Sequence, residues 1–234
     1  MIKVRLAQDR GHTELDWLDS FHSFSFGEYY DPKQMGLSHL RVMNEDRVAP
    51  GKGFDAHGHR DMEIISYVIS GELAHQDSLG NGSIIRPGEI QRMSAGAGIR
   101  HSEYNASKTA QVHFLQIWIT PNQVGLEPGY EQKTIPVVQN QWIVLASPDP
   151  QKSLITVHQE ISLCLAHLAQ SKSLEYELEP QRCGWVQLIK GEVKLNGTIL
   201  RKGDGAALVN ESLIQITCLA EAELLLFSLY NNIN

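Results

Sequence analysis

Apolar and polar positions in this 234-residue chain follow one another in short runs, with no long helical stripe. Residues 63–69, 83–86, 112–120, 142–146, 162–169, 186–190 and 224–229 are rich in Val, Ile, Leu, Tyr and Trp and are bounded by turn residues. Such spacing predicts the strands of an all-β sandwich or barrel. The stretch "DWLDSFHSF" allows a helical turn after Asp16, the one helical candidate. Residues 121–136, with glycines and a proline between Pro121 and Pro136, read as an irregular crossing between two halves.

The two halves repeat one another. "VISGELAHQDSLGNGSIIRPGEI" can be laid on "QLIKGEVKLNGTILRKGDGA", so that Ile69, Gly71 and Glu72 fall on Ile189, Gly191 and Glu192. After a five-residue deletion, Asn81-Gly82 falls on Asn196-Gly197, Arg86 on Arg201 and Gly88 on Gly203. Each copy reads strand, glycine turn, strand, Asn-Gly hairpin, strand, turn. The expected division is therefore one unit over residues 1–135 and a second over residues 136–234.

Composition narrows the function classes without choosing among them. With 42% hydrophobic and 20% charged residues the chain suits a globular protein. Its 20 Lys+Arg against 27 Asp+Glu give a net charge of -7, which disfavours direct nucleic-acid binding. Cys164, Cys183 and Cys218 are odd in number and widely spaced, so reduced thiols of a cytoplasmic protein are expected. No run has the apolar length of a signal peptide or a membrane span, and neither export nor a membrane anchor is expected.

Chemistry concentrates in the first half. In "FDAHGHRDMEIISYVISGEL", His57 and His59 lie two apart, and in a strand such residues project from one face. A lone His-x-His is also common on half-exposed strands. "GIRHSEYN" supplies His101 and Glu103 at the same spacing, again ahead of an apolar run. If the two segments meet in one barrel, three imidazoles and a carboxylate converge with open positions left over, a set suited to Fe, Mn, Ni, Cu or Zn. Metal binding and two ordinary polar strands both remain open on spacing alone. The corresponding places in the second half carry Glu177, Glu179, Ile216 and Cys218, so that half is expected to keep the scaffold without the metal. His12, His22, His39, His75, His113, His158 and His167 have no partner at ligand spacing and read as surface or hydrogen-bonded side chains. Phe54, Met62 and Met93 read as core packing near a cavity.

"GKGFDAHGHRDME" followed by Gly71 resembles the first cupin motif, with one extra residue before that glycine. "GEIQRMSAGAGIRHSEYN" resembles the second, with Ser94 in place of a proline and two extra residues before His101. With "DSFHSFSFGEYYDP" and "HQDSLGN", these departures are similar to the pirin branch of bicupins, closest to bacterial pirin-like quercetin 2,3-dioxygenases. The likeness spans nearly the whole chain and is tightest from about Trp17 to Trp118. It implies two jelly-roll-like cupin barrels packed together, the second a metal-free repeat of the first. It further implies one divalent transition metal on His57, His59, His101 and Glu103, with Fe preferred and Zn, Cu, Mn, Ni or Co as alternatives. Glu63, at the general cupin glutamate position, is expected to be structural. The implied enzyme activity is a flavonol 2,4-dioxygenase reaction, in which O2 opens the heterocycle of a quercetin-like flavonol and releases CO and a depside. Glu103, the only carboxylate of the set, is the candidate catalytic base for the enol hydroxyl. The rival function within the family is a metal- or redox-sensing transcription co-regulator that acts through a protein partner. Pairing of two cupins within one chain is compatible with a monomer.

Overall fold

The computed structural model describes residues 1–231. Among them are twenty strands, one 3-10 turn at Ala7–Asp9 and no α-helix, in keeping with the all-β expectation. The chain forms two compact units. One takes Gly11–Ile135 and Ile155–Gln159; the other takes Met1–Arg10, Pro136–Leu154 and the described residues from Glu160 onward.

In the first unit a seven-stranded sheet runs in the order Gly129–Thr134, Glu89–Ser94, Glu63–Ser70, Val112–Ile119, Leu40–Val48, Leu18–His22, Gly11–Glu14. A four-stranded sheet runs Gly53–His59, Ile99–Asn105, Leu73–Asp77, Gly82–Ile85. Val48, Val68, Leu73, Ile85, Val112 and Phe114 form one apolar cluster of this unit, and Ile64, Met93, Ala95 and Ile99 a second. Burial of each such side chain contributes roughly 1.5–3 kcal/mol, and the inward faces of the strands supply enough of them to hold the sheets without helices.

Two local expectations are corrected here. The segment after Asp16 forms no helical turn: Leu18–His22 is a strand, paired antiparallel with Leu40–Val48 through Ser20↔Asp46 and His22↔Asn44. Its burial alternates with period two, so tertiary pairing overrides the local Asp and Ser turn signals. Residues 121–136 are not wholly irregular either. Gly129–Thr134 is a strand laid along Glu89–Ser94, in the register Gly129↔Ser94 to Thr134↔Glu89. "GYEQKT" is polar at almost every position, which is compatible with a sheet edge and hides the strand from a periodicity search.

Two segments join the unit that is not next to them in sequence. Ile2–Arg5 pairs with Gly205–Leu208, and the Met1 amine lies 2.5 Å from a Glu211 carboxylate oxygen. Within the first unit, the backbone N–H of Thr156 donates to Glu131 at 2.8 Å, and His158 Nδ1 lies 3.3 Å from Glu63. Glu63 is buried and also accepts from the Ser94 hydroxyl at 2.9 Å.

In the second unit the sheet runs Ile2–Arg5, Gly205–Leu208, Arg182–Leu195, Leu213–Tyr230, Ser162–Leu168, Ile143–Ser147. Ser173–Glu177 and Thr198–Arg201 pair onto its two longest strands. Its core holds Val186, Leu188, Val193, Leu195, Leu224 and Leu226 together with Ile214, Ile216 and Cys218. Ile216 lies opposite Leu174 and Leu195 as Glu103 lies opposite Phe54 and His75, so the register sets Ile214 and Ile216 in the places of His101 and Glu103 and Cys218 in that of Asn105, two residues from where counting along the sequence set them. Cys164, Cys183 and Cys218 are buried and unbonded to one another.

The repeat is visible in the backbone. Gly71 and Gly191 have φ of 81° and 84°, and Gly88 and Gly203 have 84° and 85°. A Cβ at Gly191 would stand 2.1 Å from the carbonyl oxygen of Glu221, so this turn needs glycine both for its φ and for the close approach. Gly191→Ala is accordingly expected to cost at least about 2 kcal/mol in urea denaturation. Gly82→Ala, where no heavy atom lies within 4 Å of the added methyl, should stay within about 0.5 kcal/mol of wild type. Equal effects of the two substitutions would refute the distinction.

Candidate metal centre

Strands Gly53–His59 and Ile99–Asn105 bring the predicted ligands together. Their antiparallel register sets His101 against His57 and Ile99 against His59. It then slips, so that Asp55 and Ala56 stand opposite the single residue Ser102 and Glu103 faces Phe54. Such a bulge bends the strand and re-aims its side chains. It also places the Asp55 carbonyl 2.7 Å from His57 Nδ1, which therefore donates there and leaves Nε2 for a ligand.

The imidazole rings of His57, His59 and His101 have centroids 4.6 to 4.9 Å apart, and their ligand nitrogens lie within 4.8 Å of one another. The carboxylate of Glu103 meets the same distance limit in a group with His101 and His75. All four predicted residues thus line one region, with His101 shared by the two groups. Burial, with the neighbouring His57, pushes the His59 imidazole down to about 4. Burial and three neighbouring imidazoles push His101 to about 3. Both are neutral near pH 7, with a lone pair available to a cation without prior loss of a proton. Nε2 of His59 is buried without a hydrogen-bond partner among the described residues. An unpartnered buried nitrogen facing two other imidazoles is otherwise costly, and a divalent transition metal satisfies it. The donor set fits such an ion.

Glu103 is 2% exposed, and burial pushes its carboxyl up to about 7 against the opposing hydrogen bonds of Ser66 and Gln116. The Ser66 hydroxyl donates to Oε1 at 3.1 Å and the Gln116 amide to Oε2 at 2.7 Å. These two partners belong to a row that crosses four strands of the large sheet: Ser66↔Gln116, Gln116↔Asn44, Asn44↔His22. The row ends in a chain of contacts, His22 Nδ1 to Asn44 Oδ1 at 2.9 Å and His22 Nε2 to Thr13 Oγ1 at 2.9 Å. One step along the same strands stand Asp46 and Ser20, hydrogen-bonded to each other. On the other side of the row stand Ile64, Trp118 and Val42.

All of these side chains but Ser66 and Val42 border a cavity of about 250 Å³, near the lower limit for small-molecule sites. Its wall combines His57, His59, His101 and Glu103 with apolar Leu18, Phe26, Phe54, Ile64 and Trp118. Trp118 packs edge-on to His59 at 4.9 Å, and its indole N–H has no hydrogen-bond partner among the described residues. Of the residues read as core packing, Phe54 lines the cavity, while Met62 and Met93 pack in an apolar cluster of the unit. Asn44, Asp46, Ser66 and Gln116 escaped the sequence reading, and His22 and His75 were read only as surface or hydrogen-bonded side chains, because none has a partner at ligand spacing. A polar side chain on the inward face of a strand was the available signal.

Comparison with known proteins places these features in a family. A family model described as Pirin matches residues 3–119, and one described as Quercetinase C-terminal cupin domain matches residues 144–229. A quercetin 2,3-dioxygenase of Escherichia coli strain K12 is 45% identical over 229 residues, covering 98% of this chain and 99% of that protein. The crystal structure of the bacterial pirin YhhW in complex with nickel(II), also from Escherichia coli, superposes with a TM-score of 0.95 at 44% identity, covering 98% and 99% of the two chains. A quercetin 2,3-dioxygenase structure from Acinetobacter baumannii shares the fold with a TM-score of 0.82 at 20% identity, covering 98% of this chain and 86% of that one.

Asp46 provides a test of the buried polar wall. Burial, less the stabilising bond from Ser20, pushes its carboxyl from 3.8 to about 7. Between those values the folded chain holds one proton more than the unfolded chain, so this residue makes stability fall as pH rises from about 4 to about 7. His59 and His101 contribute the opposite slope, and a comparison with Asp46→Asn removes them. Between pH 4 and pH 7, chelator-treated Asp46→Asn should gain on the wild type by on the order of 2–4 kcal/mol. A difference that does not change with pH would refute it.

Proposed function

Because this chain belongs to the pirin family of bicupins, we propose that it is a metal-dependent dioxygenase that uses O2 to open the heterocycle of quercetin-like flavonols, releasing CO and a depside. The observation that carries this reading is the conjunction of three clustered imidazoles and a buried carboxyl with a pKa near 7 on the wall of one largely apolar cavity. Flavonols are flat, apolar and weakly acidic, and each property has a counterpart in that wall.

His57, His59 and His101, with Glu103, would hold the ion, with Fe as the preferred metal. When bound, it supplies a Lewis acid that stabilises the anion of the substrate. The remaining work falls to the chain. Glu103 takes the proton of the enol hydroxyl onto a carboxylate oxygen, and a group whose pKa lies near the working pH is suited both to accept and to return it. Ser66 and Gln116 hold the two oxygens of Glu103 in place during that exchange. Phe26, Phe54, Leu18 and Trp118 present apolar surface to the rings and exclude water.

The nickel bound by the related bacterial pirin and the dioxygenase name of the Escherichia coli relative support the same reading. In an aerobic assay, protein loaded with Fe, Mn, Ni, Cu or Co should bleach the flavonol absorbance and release CO. Glu103→Gln should keep measurable metal and lose turnover by roughly 10²–10⁴-fold. No turnover with any of the five metals would overturn the enzyme reading in favour of a regulatory one. Unchanged turnover in Glu103→Gln would remove the base from Glu103.

A further inference from the structure

Strand Leu73–Asp77 lies against Ile99–Asn105 with His101 opposite Asp77 and Glu103 opposite His75. Directly opposed residues of an antiparallel pair share a face, so His75 and Asp77 stand beside the candidate metal ligands. Both side chains are fully buried. Asp77 Oδ2 lies 3.3 Å from His75 Nε2, and His75 Nδ1 lies 3.5 Å from His101 Nδ1. Asp77 is itself fixed, since its Oδ1 accepts from the backbone N–H groups of Leu79 and Asn81 at 2.9 and 3.0 Å and the Asn81 amide donates to Oδ2 at 2.9 Å. The His75 ring stacks on Tyr130 at 4.9 Å.

We propose that Asp77 and His75 are positioning residues that fix the tautomer of His101 and so aim its Nε2 at the metal. The inference rests on the metal-centre reading above. A carboxylate can only accept, so the proton of His75 sits on Nε2 and its Nδ1 is an acceptor. The Gln91 amide, 3.4 Å from that same Nδ1, donates to it and agrees with the assignment. His101 Nδ1, 3.5 Å away, shares the lone pair of His75 Nδ1 with Gln91 by carrying its proton there, which leaves the lone pair of His101 on Nε2. His57 reaches the same state by a different partner, the carbonyl of Asp55. On this reading His75 belongs to the hydrogen bonding behind the ligands and is not a ligand itself, although it meets the distance limit with His101 and Glu103.

Nickel(II) affinity, measured on the full chain by competition with a chromophoric chelator, tests this without recourse to turnover. His75→Leu removes the acceptor and should weaken nickel binding by about 10–100-fold while one site per chain remains. His75→Asn places a carbonyl oxygen near the position of Nδ1 and should restore affinity to within about threefold of wild type. Asp77→Asn keeps the shape but lets the amide donate to His75 and reverse its tautomer. It should weaken binding about tenfold, and it serves as the second variant should His75→Leu fail to fold. Equal losses in His75→Asn and His75→Leu would make His75 a direct ligand and overturn the proposal, as would wild-type affinity in Asp77→Asn. A wild-type chain that takes up no nickel, iron or cobalt would instead sink the metal-centre reading itself.

Discussion

Three imidazoles can face one another inside a β-barrel, as His57, His59 and His101 do, when the shielded rings of His59 and His101 stay neutral and the nitrogens turned away from the common point find partners. Much of the first unit can be understood from this condition. Burial, with the neighbouring imidazoles, drives His59 and His101 far below the ordinary histidine value. The bulge opposite Ser102 gives His57 a backbone carbonyl, and the strand Leu73–Asp77 gives His101 the ring of His75. What is left over is the unpartnered Nε2 of His59, which is the need an ion meets.

The carboxyls of the cavity obey the same physics with the opposite sign. Glu103 and Asp46 are held near pH 7 because water cannot reach them, yet each keeps a hydroxyl or amide partner that prevents a wholly unsatisfied group. The cross-strand row from Ser66 to His22 distributes those partners over four strands, so a shift in register of any one strand would strip the row of a member. Register is therefore fixed by polar pairing inside the barrel as well as by apolar patterning, and site geometry and fold stability depend on the same hydrogen bonds.

The fold class was legible because period-two alternation and glycine turns are local properties of the sequence; the paired two-residue spacings singled out the four candidate ligands, and the resemblance to the cupin motifs made a metal set of them. The φ of Gly71, Gly88, Gly191 and Gly203 shows that the repeat read from turn residues corresponds to a repeated backbone. What was not legible depends on partners far away in sequence. Leu18–His22 looked like a turn until Leu40–Val48 supplied its register. Gly129–Thr134 has no apolar face to announce it and depends on Glu89–Ser94. His75 looked like a lone histidine, since its importance lies in residues directly across the strand pair, and two residues joined only by cross-strand register leave no spacing signal.

The second unit shows what the scaffold requires when the site is absent. It keeps the positive-φ glycines and the antiparallel order of hairpins, while Ile214 and Ile216 occupy the places of His101 and Glu103 and are buried among leucines and valines. An interior of that kind needs no neutral tautomers and no hydrogen-bonded row, because dispersion and apolar burial hold it. A barrel of this type therefore folds without the imidazoles, and the polar wall of the first unit is a departure from the simplest stable core. Buried polar groups of that sort seldom add stability over an apolar replacement of similar shape. Their presence in one unit, in register over four strands and with one nitrogen left unpartnered, is better explained by the ion and the substrate proposed for this site than by the needs of the fold.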